Sequence, residues 1–155
     1  MRIGHGFDAH AFAEGRPLML GGVQIPYARG LTGHSDADVL LHAIIDGVLG
    51  AAALGDIGAL FPSSDGQWAG ASSLDLLGRA YEVVRAHGFA AVNIDCTVVA
   101  EAPRLAPHVQ GMRQAIAAAL AIDVPQVSVK ATTTDGMGFT GRGEGIAAFA
   151  VVLLE

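Results

Sequence analysis

Three kinds of apolar pattern run along this chain. The opening RIGHGFDAH reads as a strand in which Gly4, Gly6, Asp8 and His10 share one face and Ile3, His5 and Phe7 the other, because side chains two apart point the same way. Further on, SDADVLLHAIIDGVLGAAALGD is apolar on nearly every side of a helix running from an N-cap at Ser35 to about Gly55, the mark of a buried helix. Asp36 and Asp38 in its first turn favour the positive end of the helix dipole. The closing GIAAFAVVLLE is a continuous apolar run, read as a buried strand.

Between these stretches, PLMLGGVQIPY predicts a hairpin turning at Gly21 and Gly22. SSLDLLGRAYEVVRAHG predicts a helix capped near Ser72 and closed by Gly88, and PHVQGMRQAIAAALAI a helix with Pro107 at its start. AVNIDCTVVAE and VSVKATTT predict strands. Strands and helices interleave without linker or repeat, so the expected class is α/β or α+β, with residues 1–155 forming a single domain.

Composition changes the picture in two ways. Apolar residues make up 52% of the chain and the mean hydropathy is +0.45, more than one small soluble domain needs, which predicts apolar surface buried between subunits. The net charge is −6, with one lysine (Lys130) and eight arginines, so a nucleic-acid groove is excluded and a phosphorylated ligand would need metal ions to neutralise it. No apolar run approaches the ~20 residues of a membrane span. The short N-terminus leads straight into a strand and Cys96 is the only cysteine, so no signal peptide or internal disulfide is expected and the setting is cytoplasmic.

The candidate chemistry begins with Asp8 and His10. A shared strand face aims carboxylate and imidazole at one point, and Gly4 and Gly6 leave room for a close approach to the backbone. Asp-x-His alone is a weak signal, better explained as a surface pair unless a third ligand joins it. A third ligand lies in the buried helix, where Asp38, His42 and Asp46 are spaced four apart and stack along one stripe. A lone histidine there is more often a hydrogen-bonded core residue, but Asp46 and Asp38 can orient the imidazole from behind. Asp8, His10 and His42 then make an open zinc site of two nitrogens and one oxygen.

KATTTDGMGFTGRGEGI offers three consecutive threonine hydroxyls at 132–134, Asp135 and five glycines. A nest of donors around phosphate oxygens fits this stretch, and a glycine-rich turn fits it as well. AEAPRLAPH reads by itself only as a proline-kinked loop. Gly4-x-Gly6-x-x-Ala9 formally matches a dinucleotide fingerprint, but the strand before it is too short and no helix follows.

Seven pieces, RIGHGFDAH, GGVQIPY, GHSDADVLLHA, LGAAALGDIG, LFPSSD, KATTTD and GFTGRGEGIA, run in order from residue 2 to about 148. In this order they closely resemble the 2-C-methyl-D-erythritol 2,4-cyclodiphosphate synthase family. The resemblance implies a mixed sheet covered by helices on one face and assembly as a homotrimer with active sites between subunits. It implies cyclisation of 4-CDP-2-C-methyl-D-erythritol 2-phosphate with loss of CMP, in non-mevalonate isoprenoid biosynthesis. Zinc would sit on Asp8, His10 and His42, and Mg²⁺ or Mn²⁺ at Asp135. His34 and Ser35 would bind phosphate, with Thr133 supporting the transition state. Asp56, Ile57, Gly58, Phe61 and Asp65 would hold the methylerythritol end. Ala100, Pro103, Arg104, Leu105 and Ala106, with Ala131 and Thr132, would form the cytidine pocket. Phe139 and Arg142 would line an axial channel able to take an isoprenoid diphosphate.

The chain departs from the family pattern at Asp135, where glutamate is usual, at Ser63, where aspartate is usual, and at Arg104-Leu105, where Lys-Met is common. Two other readings use the same residues. A zinc hydrolase would release free phosphate, and a non-catalytic sensor of isoprenoid diphosphates would bind without releasing CMP.

Overall fold

A computed structural model describes residues 1–155. Its centre is a five-stranded mixed sheet built from β1 (Arg2–Ala13), β4 (Gly30–Leu31), β5 (Ala91–Val99), β6 (Val127–Thr132) and β7 (Gly145–Leu154). The strand order is β4-β1-β7-β5-β6. Only β5 and β6 pair in parallel, which requires the crossover that α4 (Val109–Ala119) supplies. A separate hairpin, β2 (Leu18–Leu20) and β3 (Val23–Ile25), turns at Gly21 and Gly22, both at positive φ. α1 (Val39–Ala52), α3 (Ser73–Ala86) and α4 are the long helices, and α2 (Ile57–Leu60) and α5 (Gly138–Gly141) are single turns. None is long and apolar enough to cross a membrane.

The helices cover one face of the sheet, and between the two layers lies a cluster of 38 buried apolar residues. Leu40, Leu41, Ile44, Ile45, Val48 and Leu49 of α1 are all buried, as its all-round apolar pattern predicts. The start of α1 differs from expectation. Its N-cap is Asp38, whose carboxylate accepts from Leu41 N, while Ser35 lies in the preceding turn. Asp38 is fully buried and also accepts from Gly21 N (2.9 Å) and Gly22 N (2.7 Å), so one side chain starts the helix and pins the hairpin. The helix ends three residues before Gly55, because Ala53 takes the left-handed conformation and Leu54 N reaches back to Leu49 O.

α1 lies so close to β1 that side chains are excluded between them. A Cβ on Gly4 would overlap the carbonyl oxygen of Gly47, and one on Gly6 that of Ala43. The room that Gly4 and Gly6 leave is thus filled by the helix backbone.

The closing strand is not buried on both faces. In β7, Ile146, Ala148, Ala150 and Val152 face the helices, while Phe149 and Val151 are 40% and 44% exposed on the open face. Phe7 pairs with Phe149 across the β1–β7 ladder, with ring centroids 4.9 Å apart, and Ile3 lies on the same face at 73% exposure.

Gly6→Ala should therefore destabilise the protein by about 1–3 kcal/mol or more, since neither backbone can yield without repacking. Gly78→Ala, in α3 with open space at its Cβ, should stabilise by about 0.5–1 kcal/mol. Urea denaturation of the two variants checks the contrast.

Candidate metal centre and loop cleft

Asp8 and His10 project from the helix side of β1, and His42 from the first turn of α1 to meet them. Asp8 Oδ2 lies 2.8 Å from His10 Nε2 and 3.0 Å from His42 Nδ1. The two ring nitrogens are 3.1 Å apart. The three ligand atoms lie within 4.8 Å of one another, so one divalent ion can touch all three. On its far side His10 Nδ1 donates to Thr32 O at 2.5 Å, which turns the Nε2 lone pair toward the cluster. Burial pushes the Asp8 carboxyl up, but its hydrogen bonds to the two histidines outweigh this and hold it well below the usual carboxylate range. Burial disfavours a charged His10, yet its bond to Asp8 prevails and raises its pKa.

The cluster opens on a cleft of about 270 Å³. His34 and Ser35 line one side, and Ile57, Gly58, Phe61 and Ser63 another. Arg16 fixes the His34 loop by donating to Gly33 O (2.7 Å) and Ser35 O (2.6 Å). Asp56 and Asp65 are not among the lining residues. Each caps a short helix, Asp56 accepting from Ala59 N and Asp65 from Gln67 N. Asp46 likewise does not reach the imidazole, because its Oδ1 accepts from Ile57 N at 2.8 Å and anchors α2 to α1. Asp38 faces the hairpin, so neither carboxylate of the helix stripe orients His42 as the spacing predicts.

A second cleft, of about 290 Å³, forms where β5 and β6 end side by side. The parallel register pairs Val99 with Thr132, so the loops leaving both C-terminal ends lie together. Ala100, Pro103, Arg104, Leu105 and Ala106 line one wall, and Ala131, Thr132 and Thr133 the other. Asp135 has φ 52° and accepts from Thr133 Oγ1 at 3.2 Å. Glu101, which no motif singles out, accepts from Thr134 N (3.0 Å) and Gly136 N (3.4 Å) and braces this loop. The two clefts share no lining residue. Phe139 is exposed, and Arg142 is held by Glu144 at 2.7 Å just before β7.

The model of the YgbB family matches residues 1–155. This chain belongs to that family. Curated relatives include the 2-C-methyl-D-erythritol 2,4-cyclodiphosphate synthases of Marinobacter nauticus, 59% identical over 155 residues, and Syntrophomonas wolfei, 60% identical. Both alignments cover 100% of this chain, with 98% and 99% of the relative. Among solved structures, the bifunctional IspDF from Campylobacter jejuni is 49% identical with a TM-score of 0.95. That alignment covers 99% of this chain but 42% of the longer one. A 2C-methyl-D-erythritol-2,4-cyclodiphosphate synthase solved with CDP is 35% identical with a TM-score of 0.91, covering 99% of this chain and 100% of the other.

Several residues that shape these clefts in the YgbB fold escape sequence reasoning. Arg16 and Glu101 act on backbone groups far along the chain, and nothing in local spacing marks them. Ser73 follows the helix cap at Ser72 and reads as part of it, yet its hydroxyl lies 3.0 Å from His42 Nε2.

Replacing His42 by alanine should abolish divalent-metal binding in a protein that remains folded. Asp46→Ala should leave metal binding intact, since its carboxylate holds α2 instead. Metal analysis after dialysis, beside circular dichroism, separates the two outcomes.

Proposed function

We infer that this chain cyclises 4-CDP-2-C-methyl-D-erythritol 2-phosphate to 2-C-methyl-D-erythritol 2,4-cyclodiphosphate, releasing CMP for non-mevalonate isoprenoid precursor biosynthesis. The observation that carries the reading is a metal-type triad opening on one cleft while a separate cleft gathers the cytidine and threonine loops. A phosphorus–oxygen lyase of this kind needs no external nucleophile. An oxygen of the 2-phosphate attacks the β-phosphorus, the bond from that phosphorus to the oxygen bridging it to the α-phosphorus breaks, and CMP leaves with the bridging oxygen. The protein's task is to bend a highly charged chain so that the two phosphates meet in line.

Asp8, His10 and His42 fit zinc, with two nitrogens, one oxygen and an open side toward the cleft. Asp135 keeps one carboxylate oxygen for Mg²⁺ or Mn²⁺. Bound there, the cations supply charge neutralisation for the phosphates and for departing CMP. His34 and Ser35 stand beside the triad to receive phosphate oxygens, and the Thr133 hydroxyl donates to the phosphates as charge shifts. Ile57, Gly58 and Phe61 hold the methylerythritol end, with Asp56 and Asp65 setting the backbone around them. Ala100 and Pro103 to Ala106, with Ala131 and Thr132, hold the cytidine.

Because the two clefts are separate on one chain, the complete site forms between subunits of a head-to-tail homotrimer. The open sheet face supports this, since Ile3, Phe7, Phe149 and Val151 make an apolar surface that neighbouring copies would cover. Phe139 and Arg142 then come near the axis, where a channel can accept an isoprenoid diphosphate. The reading places the enzyme in the cytoplasm, in keeping with a CDP-linked substrate and the single buried thiol of Cys96.

Phosphorus NMR of the purified protein with substrate should show CMP and the cyclic diphosphate appearing together. Free phosphate instead would overturn the reading in favour of a hydrolase. Asp135→Glu should keep or strengthen Mg²⁺ binding, whereas Asp135→Ala should weaken it and slow CMP release, as Mg²⁺ titrations of the rate would show.

The interface can be tested by mixing. Asp8→Ala and Thr133→Ala should each be nearly inactive, the latter by about 10²–10³-fold. Co-refolded in equal amounts, about three rings in four are mixed and each has one intact site in three, which restores roughly a quarter of wild-type activity. No recovery despite verified subunit exchange would place the whole site within one chain.

A further inference from the structure

Behind His42, away from the triad, lies a hydrogen-bonded chain that the reaction as described does not use. His42 Nε2 is 3.0 Å from Ser73 Oγ and 3.1 Å from Ser35 Oγ. Ser73 is fully buried and its hydroxyl donates to Asp36 Oδ1 in a short contact. Asp36 Oδ2 accepts from Ser73 N at 3.0 Å, and Oδ1 also accepts from Asp38 N at 3.2 Å. The aspartate is thereby fixed from three donors.

The direction of this chain follows from what each group can do. A carboxylate only accepts, so the Ser73 proton points to Asp36 and the Ser73 lone pairs point to His42. The imidazole must then donate from Nε2, which leaves Nδ1 as a lone pair, and Nδ1 is the atom that faces Asp8 and His10. Ser35 alone imposes no such direction, since its hydroxyl is free to donate or accept. His10 reaches the same end by a different route, through the Thr32 carbonyl.

We propose that Asp36 and Ser73 are positioning residues that lock His42 in its metal-binding tautomer and ring orientation. This rests on the triad holding zinc. It also assigns to residues 36 and 73, from a loop and a second helix, the role that the helix stripe at Asp38 and Asp46 does not fill.

Zinc affinity measured by chelator competition tests it, with the Nε2–H signal of His42 followed by NMR in the zinc-loaded protein. Ser73→Ala should bind zinc about 10–100-fold more weakly, and its Nε2–H should exchange with water faster than in wild type. Thermal unfolding of the metal-free protein controls for structural loss. Should Ser73→Ala fail to fold, Asp36→Asn takes its place, with weaker zinc binding again expected. Wild-type affinity and exchange in a folded variant would refute the relay alone. A wild-type protein that binds no zinc would refute the metal centre beneath it.

Discussion

The contact between the backbones of α1 and β1 sets everything else. Gly4 and Gly6 present bare backbone to Gly47 and Ala43, and a single methyl group at either strand position would meet a carbonyl oxygen. Only at this spacing does a histidine from the first turn of the helix come within 3.0 Å of a strand carboxylate. Gly47 completes the fit from the helix side, since its own Cβ would press on Val152 of the neighbouring strand at 2.9 Å. The helix can lie this deep because it is apolar on nearly every side and the hairpin, β7 and α3 bury it.

Buried and half-buried carboxylates in this fold mostly hold backbone in place. Asp38 joins the helix start to the hairpin, Asp46 joins α1 to α2, and Asp36 joins the loop before α1 to the start of α3. Each satisfies donors that would otherwise be buried without partners, and no buried side-chain polar atom is left unpaired. Burial pushes Asp38 up in pKa even though three backbone N–H groups favour its charged form. Asp8 is the exception, because its partners are two imidazoles that a cation can replace.

The sheet divides the labour between its faces and ends. Its helix face carries the candidate metal triad, its open face carries Phe7 and Phe149, and the C-terminal ends of β5 and β6 carry the loop cleft. Under the proposed reaction, a site that needs both triad and loops would draw on more than one copy of the chain. The departure from glutamate at position 135 falls on a residue with positive φ, in a loop that Glu101 braces from across the cleft.

Local pattern by itself determined most of the elements: the two-residue alternation of β1, the buried α1, the hairpin at Gly21-Gly22, and the helices α3 and α4. Asp8 and His10 on one face also follow from sequence, since strand geometry leaves them no alternative. The residues of the loop cleft lie far apart in sequence, and the parallel β5–β6 register brings them together. What surrounds each side chain was decided only by tertiary structure. Helical spacing puts Asp38, His42 and Asp46 on one stripe, but a stripe does not say which neighbour each will meet, and the three turn to the hairpin, the triad and α2 respectively. One partner of His42, Ser73, instead comes from 31 positions away, beyond the reach of any local period. β7 shows the same limit: its apolar run reads as buried on both sides, and only the placement of the long helices on one face of the sheet leaves Phe149 and Val151 open.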